Sequence, residues 1–150
     1  MSARFKHLAP DYEERVRDSF RRQNFMTLIS ASLSHVAPGE VDIDLPYRAD
    51  LTQQHGFFDG GVTGAIADGA GGYAGYTVFP AGSSVLTVEF KINLIAPAKG
   101  DRLRAQGRVI KSGRTLTFCD LAVYAITGGQ ETLCATGQQT LICLHDRPDS

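Results

Sequence analysis

The sequence lacks the features that mark membrane, secreted or nucleic-acid-binding proteins. Its apolar runs are far shorter than the roughly 20 residues that cross a bilayer. With 15 Lys and Arg against 16 Asp and Glu, the net charge of −1 gives no reason to expect nucleic acid or a membrane as partner. The first ten residues carry no apolar signal-peptide core. We therefore expect a cytoplasmic protein.

The sequence also has few metal-ligating or disulfide-forming side chains. There are three cysteines without a CxxC spacing and four scattered histidines: Cys119, Cys134, Cys143, His7, His35, His55 and His145. An odd number of cysteines in a cytoplasmic chain favours free, buried thiols. No histidine pattern resembles a metal site, so we expect neither a metal nor a redox cofactor.

Glycine, by contrast, is concentrated between residues 55 and 76, although it disfavours helices by about 1 kcal/mol per residue. Apolar residues there still follow helical spacing, which predicts a helix. At about 100° per residue, one acid and five glycines share a flank: Gly61, Gly64, Asp68, Gly71, Gly72 and Gly75. A single carboxylate on a nearly bare face suits the close approach of a sheet or a ligand.

The rest of the chain predicts one α+β domain over residues 1–150, with a helical segment at 1–25 and a core at 26–144. Residues 10–23 read as an amphipathic helix, followed by extended segments at 26–35 and 41–45. After the long helix, alternating apolar residues with short glycine-bearing connections predict four strands: Ser84–Ile95, Arg102–Ile110, Leu116–Ile126 and Glu131–Leu144. In the first of these strands, the apolar residues from Leu86 to Leu94 are predicted to face one way. The simplest arrangement is an antiparallel sheet of about six strands wrapped around one long helix.

Four stretches resemble the hotdog-fold thioesterases, in particular the phenylacetate-degradation (PaaI-like) acyl-CoA thioesterases. They are QQHGFFDGG from Gln53, AIAD ending at Asp68, LTVEFKINLIAPAKG from Leu86, and RVIKSGRTL from Arg108. The resemblance runs from about Ser30 to Leu144. It implies a hotdog fold and hydrolysis of a small, medium-chain or aryl acyl-CoA without a cofactor. It also implies a homodimer with a shared active site, paired again into a homotetramer.

The resemblance further implies roles for single residues. Asp68 matches the nucleophile or general base, and Gly60 matches the glycine whose N–H helps form the oxyanion hole. Gln53 matches an amide that orients water or the carboxylate, and Thr87 a hydroxyl facing the acid. One position departs from the pattern: Asp59 stands where the family usually has histidine.

Asp59 and Gly61 beside it, with His55 four residues earlier, are therefore candidate substrate-binding residues. The substitution could place a negative charge near the thioester, and His55 could partly replace the missing imidazole. Each candidate also has a structural interpretation. Asp68 could be a solvated helix aspartate, Thr87 a plain strand former, and His55 a loop residue held by hydrogen bonds.

Two further groups of residues each have a functional and a structural interpretation. The stretch from Lys99 to Arg114 is basic, and its residues Lys111 and Arg114 sit on a predicted hairpin loop, where they suit the phosphates of coenzyme A. A solvated strand face is the alternative for the arginines of this stretch. The aromatic residues around the glycine segment fit either core packing or an acyl pocket: Phe57, Phe58, Tyr73, Tyr76 and Phe79.

Two other functions remain open at this point. Hotdog folds also host acyl-thioester dehydratases and hydratases, in which His55 could pair with Asp68 or Asp59. The proline-bearing motif around the histidine of those enzymes is absent here. A non-catalytic acyl-CoA-binding protein is the second alternative, with Asp59 as the residue that ended catalysis.

Overall fold

A long helix crosses one face of a six-stranded antiparallel sheet in the computed structural model, which describes residues 4–149. The helix is α3 (Gly60–Tyr76), and the strands lie in the order β1-β2-β4-β5-β6-β3. Their bounds are β1 (Ser32–Ala37), β2 (Glu40–Pro46), β3 (Ser84–Leu94), β4 (Arg102–Ser112), β5 (Leu116–Thr127) and β6 (Gln130–Leu144). Two short helices, α1 (Tyr12–Arg22) and α2 (Asn24–Leu28), precede the sheet, and a 3₁₀ turn spans Ala49–Leu51. The predicted α+β hotdog architecture is confirmed.

The core lies between α3 and the sheet. On β4 the predicted alternation is confirmed, since Leu103, Ala105 and Val109 are buried. The arginines on the opposite side of β4 form ion pairs with β2: Arg104 with Asp44 at 2.8 Å and Arg108 with Asp42 at 2.7 Å. These two arginines therefore lie on the outer face of the sheet, which was the alternative to phosphate binding considered for them from the sequence.

The first predicted strand is partly wrong. Residues 26–28 are the end of α2, and β1 begins only at Ser32. The buried Met26 side chain lies over Gly69, where a Cβ would stand 2.6 Å from its Cε. Ser30 then takes a left-handed φ of 64°, which reverses the chain before the strand. Met26, one of the apolar residues that suggested an extended segment, packs instead against α3, whereas Leu28 is exposed.

The predicted orientation of side chains on β3 is also wrong. A β-bulge between Thr87 and Glu89 shifts the register against β6, so the alternation changes sides there. Before the bulge, Thr87 points to α3. After it, Phe90 and Leu94 do, since they are the side chains nearest to Gly64 and Gly60. The bulge thus allows one polar and several apolar residues to face the helix from a single strand.

β3 is an edge strand, because β6 is the one strand that pairs with it among residues 4–149. It is long and carries exposed apolar side chains, including Leu86 and Val88, each 57% exposed. An edge of this kind is a ready template for pairing with another strand.

The predicted N-terminal helix is confirmed as α1, which packs against α3. Its Val16 and Phe20 are buried, and Phe20 packs edge-on against Tyr73 of α3. The predicted helical segment 1–25 begins with residues 1–3, which lie outside the described part of the chain. The division into this segment and a core at 26–144 stays a prediction.

Within residues 4–149, no helix is long and apolar enough to cross a membrane.

Candidate active site

Asp68 lies in the middle of α3 and is held from two strands. Thr87 Oγ1 on β3 donates a hydrogen bond to Asp68 Oδ1 at 2.6 Å. The amide nitrogen of Gln139 on β6 contacts the same Oδ1 and also the Asp68 carbonyl at 3.1 Å. No hydrogen bond reaches the other carboxylate oxygen, Oδ2, from residues 4–149. One oxygen is therefore fixed and the other is open.

Gln139 is a site residue that sequence reasoning missed. It is only 2% exposed, and its Nε2 also lies 3.0 Å from Thr87 Oγ1, so the three side chains form one cluster. On β6 it shares a face with the buried Leu141 and Cys143. A glutamine at a core-facing position of an alternating strand is unusual. That position was the signal in the sequence, although it could not show what Gln139 contacts.

The glycines of α3 make room for this cluster. A Cβ on Gly71 would lie against the Gln139 amide oxygen and 2.6 Å from Leu121, and a Cβ on Gly75 would meet Leu141. The predicted close approach of sheet and helix is thus confirmed at these two positions. Gly72 is different, because nothing lies within 4 Å of its Cβ position.

A cavity of about 290 Å³ opens beside Asp68. Its lining residues come from α1, α3, β3 and the C-terminal tail: Ser19, Arg22, Gln23, Asp68, Gly69, Gly72, Tyr73, Val85, Thr87 and Asp149. Of the five aromatic residues considered for an acyl pocket, Tyr73 alone lines this cavity. Tyr76 and Phe79 belong to the core.

Cys119, which lies behind the cluster, is not an alternative nucleophile. Its Sγ is directed to the Gly71 carbonyl at 3.5 Å, and the side chain is fully buried. Burial, followed by the nearby Asp120, raises the pKa of the Cys119 thiol to about 12. The thiol is therefore protonated at neutral pH, whereas thiolate is the nucleophilic form. The three cysteines are free and buried, as predicted.

The N-terminus of α3 is the second candidate region. Asp59 is its N-cap, and its Oδ1 accepts a hydrogen bond from the Gly61 N–H at 2.7 Å. The preceding N–H, that of Gly60, has no acceptor among residues 4–149. It adjoins a cavity of about 400 Å³ that Gln53, Phe57, Phe58 and Leu94 help to line. Unpaired N–H groups at a helix start suit a developing negative charge.

Gln53 and His55 shape the turn before this helix. The Gln53 side-chain oxygen accepts hydrogen bonds from the backbone N–H of His55 at 2.6 Å and of Phe57 at 3.4 Å. The His55 side chain is exposed, and no hydrogen bond joins it to Asp68 or Asp59 within residues 4–149. Within one protomer, the described residues therefore bring together neither of the histidine–acid pairs considered for a dehydratase.

Arg114 lies on the β4–β5 loop, as predicted, whereas Lys111 lies near the end of β4, where it pairs with Phe118 of β5, and neither residue lines either of these two cavities. Both side chains are exposed, and neither takes part in the ion pairs found within residues 4–149. The Arg114 carbonyl accepts a hydrogen bond from His145 at 2.7 Å, which ties the hairpin to the C-terminal tail.

The two candidate regions do not meet within one protomer. Asp68 follows Gly60 by eight residues, which is about 12 Å along an α-helix. A carbonyl in reach of a nucleophile lies about 3 Å from it, and an oxyanion lies equally close to its donor. One thioester carbonyl therefore cannot contact both groups of the same chain.

Comparison with known proteins gives this geometry a context. The family model of the thioesterase superfamily matches residues 55–132, which include the α3 N-terminus, Asp68 and Thr87. The chain belongs to the thioesterase superfamily. This confirms the resemblance stated from the sequence motifs and makes the protein an enzyme that hydrolyses thioester bonds.

Relatives of this thioesterase extend the match beyond the family model. A thioesterase family protein from Silicibacter pomeroyi is 42% identical, with a TM-score of 0.88 over 89% of this chain and 98% of that one. The proofreading thioesterase EntH of Klebsiella pneumoniae is 25% identical over 69% of this chain and 75% of its own length. The PaaI protein of the E. coli phenylacetic acid degradation operon shares the fold, with a TM-score of 0.79 at 17% identity over 90% and 94% of the two chains.

Proposed function

We propose that the protein hydrolyses small, medium-chain or aryl acyl-CoA thioesters, with Asp68 as nucleophile or general base. The observation that carries the proposal is the arrangement around Asp68. Thr87 and Gln139 hold one carboxylate oxygen, and the open Oδ2 lies beside a cavity. Oδ2 either attacks the thioester carbonyl carbon, forming an acyl anhydride with Asp68 as the carbon–sulfur bond breaks, and water then hydrolyses that anhydride, or it removes a proton from the water that attacks the carbonyl carbon. In both routes the sulfur leaves with the bonding electrons and is protonated, so coenzyme A is released as the thiol.

A dimer completes the site in this proposal. On β3, Thr87 lies opposite Asp68 of α3, and Leu94 lies opposite Gly60 at the N-terminus of α3. If two β3 edges pair antiparallel about a twofold axis near Phe90, Thr87 faces Leu94 of the partner subunit. The Gly60 N–H of one protomer then approaches Asp68 of the other, where it can stabilise the oxyanion. The exposed apolar side chains of β3 support this pairing, and a further pairing of dimers would give the expected tetramer.

The remaining candidates take supporting roles. Gln53 holds the turn that presents the helix N-terminus, and Gly61 and His55 adjoin the same edge of the site. Lys111 and Arg114, exposed on one hairpin, suit the phosphates of coenzyme A because ammonium and guanidinium groups bind phosphate well.

The proposal is tested by thiol release from short-chain, medium-chain and aryl acyl-CoAs. We expect release with at least one class, and equal amounts of free acid and coenzyme A. Coenzyme A binding without release from any thioester would favour the non-catalytic alternative. Formation or hydration of an acyl-CoA double bond without thiol release would favour the lyase alternative.

Gln139 provides a prediction about positioning. Gln139→Leu removes the amide donor from Asp68 and leaves the core apolar, so the protein should fold. A hydrogen bond to a charged group contributes about 1.5–3 kcal/mol. We expect kcat to fall about 10- to 100-fold with little change in KM, measured by steady-state thiol release. A Gln138→Leu variant, on the opposite face of the same strand, is the control. Equal effects of both variants would mean that Gln139 has only a structural role.

Asp59 provides a prediction about the departure from the family pattern. Asp59→His removes the cap of α3, so unfolding free energy should fall by about 1 kcal/mol. We expect thioester hydrolysis to be retained or raised, since the cap acts on Gly61 and leaves the Gly60 N–H in place. Asp59→Asn, which keeps a capping oxygen, is the matched control for stability. A large loss of turnover in a folded Asp59→His protein would make Asp59 a working catalytic group.

A further inference from the structure

The cavity beside Asp68 has a polar wall that the proposed mechanism does not use. Ser19 of α1, Gln23 at the C-terminal end of α1 and Tyr73 of α3 form this wall, and α1 lies outside residues 55–132 of the family match. Tyr73 donates its hydroxyl hydrogen to Gln23 Oε1 at 3.2 Å, and its Oη lies 3.2 Å from Ser19 Oγ. The three groups form one hydrogen-bonded row along the cavity.

This row can exchange hydrogen bonds with a bound neutral group. Burial, the largest cause, raises the pKa of the Tyr73 phenol, so the hydroxyl stays neutral at physiological pH. With the tyrosine donating to Gln23, the serine hydroxyl donates to Tyr73 and keeps lone pairs. The Gln23 amide nitrogen makes no hydrogen bond to residues 4–149. The row therefore offers both a donor and acceptors.

The charges around the cavity argue against coenzyme A phosphates as its occupant. Among the described residues that line it, Arg22 is the one cation, and it pairs with Asp18 at 3.1 Å and Asp149 at 3.0 Å. Asp68 and Asp149 add negative charge to the same cavity. A phosphate group in this cavity would be repelled by the carboxylates, which outnumber the single arginine. The acyl part of the substrate carries no such charge and fits better.

Helix geometry places the polar row at a defined distance from the reaction. Tyr73 follows Asp68 by five residues, or about 7.5 Å along the helix axis. Gly72 leaves the helix surface between them open, because no atom lies within 4 Å of its Cβ position. An acyl group whose carbonyl carbon lies at Asp68 can extend over Gly72 to the row.

We propose that Ser19, Gln23 and Tyr73 form a specificity subsite for a hydroxyl group at the distal end of the acyl chain. The inference rests on the proposed function, since it assumes that the thioester carbonyl lies at Asp68. The hydroxyl of the substrate accepts a hydrogen bond from one member of the row and donates to another. An acyl group without it offers no partner to the free donor and acceptors of the row, which lowers its affinity.

The test compares matched acyl-CoAs with wild type and Tyr73→Phe. The pairs are hexanoyl- with 6-hydroxyhexanoyl-CoA, and 3-phenylpropanoyl- with 3-(4-hydroxyphenyl)propanoyl-CoA. We expect wild type to favour the hydroxylated member of at least one pair by about tenfold in kcat/KM. Tyr73→Phe should remove most of that preference, so that the two members of each pair have kcat/KM values within about twofold of each other. Ser19→Ala, on the half-buried side of α1, should reduce the preference as well.

Tyr76→Phe is the matched control, because it removes a phenol hydroxyl from the same helix outside this cavity. Calorimetric binding of S-hexyl-CoA and S-(6-hydroxyhexyl)-CoA, which cannot be hydrolysed, separates this inference from the proposed function. Tighter binding of the hydroxylated thioether that Tyr73→Phe abolishes supports the subsite even if no thioester is turned over. Equal hydrolysis of the two members of both thioester pairs together with equal binding of the two thioethers by wild type, or a preference that survives in Tyr73→Phe, overturns it.

Discussion

Asp68→Asn should lower kcat for thioester hydrolysis by about a thousandfold or more. The amide has the size of the carboxylate and still offers an oxygen to Thr87 and Gln139, so the cluster and the fold should persist. It is a poor nucleophile and a poor base, and such groups contribute about 10²- to 10⁴-fold in general base catalysis alone. Steady-state thiol release on the best substrate of the acyl-CoA panel measures the effect.

The control for this variant is Asp120→Asn on β5. Asp120 is exposed, and its Oδ1 accepts a hydrogen bond from the side-chain amide of Gln138 at 3.3 Å. Like Asp68, it therefore accepts a hydrogen bond from a glutamine amide, but it lies on the other face of the sheet. We expect turnover close to wild type. If folded Asp68→Asn retains more than a tenth of wild-type kcat, Asp68 is neither nucleophile nor base, whereas the fold assignment stands.

Gly107→Ala should cause a large loss of stability. Gly107 lies on β4 directly beneath α3, and a Cβ there would stand 2.3 Å from the carbonyl carbon and oxygen of Ala70. Both neighbours are backbone atoms, so the clash cannot be relieved by a side-chain rotation. Overpacking costs about 1–3 kcal/mol, and a backbone clash belongs at the upper end. We expect the free energy of unfolding to fall by about 3 kcal/mol, which corresponds to a Tm lower by about 6–12 °C in a chain of this size.

Gly72→Ala is the matched control for stability, because it adds the same methyl group to α3 where no atom lies within 4 Å. Alanine is the better helix former, so this variant should be as stable as wild type or up to about 1 kcal/mol more stable. Thermal unfolding followed by circular dichroism compares the three proteins. A Tm of Gly107→Ala within 2 °C of wild type would show that α3 does not approach β4 this closely.

The sheet and the central helix could be predicted because their signals are local. Alternating apolar residues on β4 and helical spacing through the glycine segment each determine a backbone conformation without reference to the rest of the chain. Two predictions failed where local signals were ambiguous. Residues 26–28 formed a helix because Met26 packs over Gly69, and β3 changed faces at a bulge that no periodicity reveals.

By itself, the sequence determined the fold class, the six strands, the central helix and the position of its one acid, since motif order and hydrophobic spacing encode these features. Only the tertiary structure decided what surrounds that acid. Gln139 is 71 residues away along the chain, and Ser19 is 54 residues from Tyr73. Such contacts depend on how separate elements pack, through the fit of Gly71 to Gln139 and the register of β3. Local sequence patterns do not specify that fit.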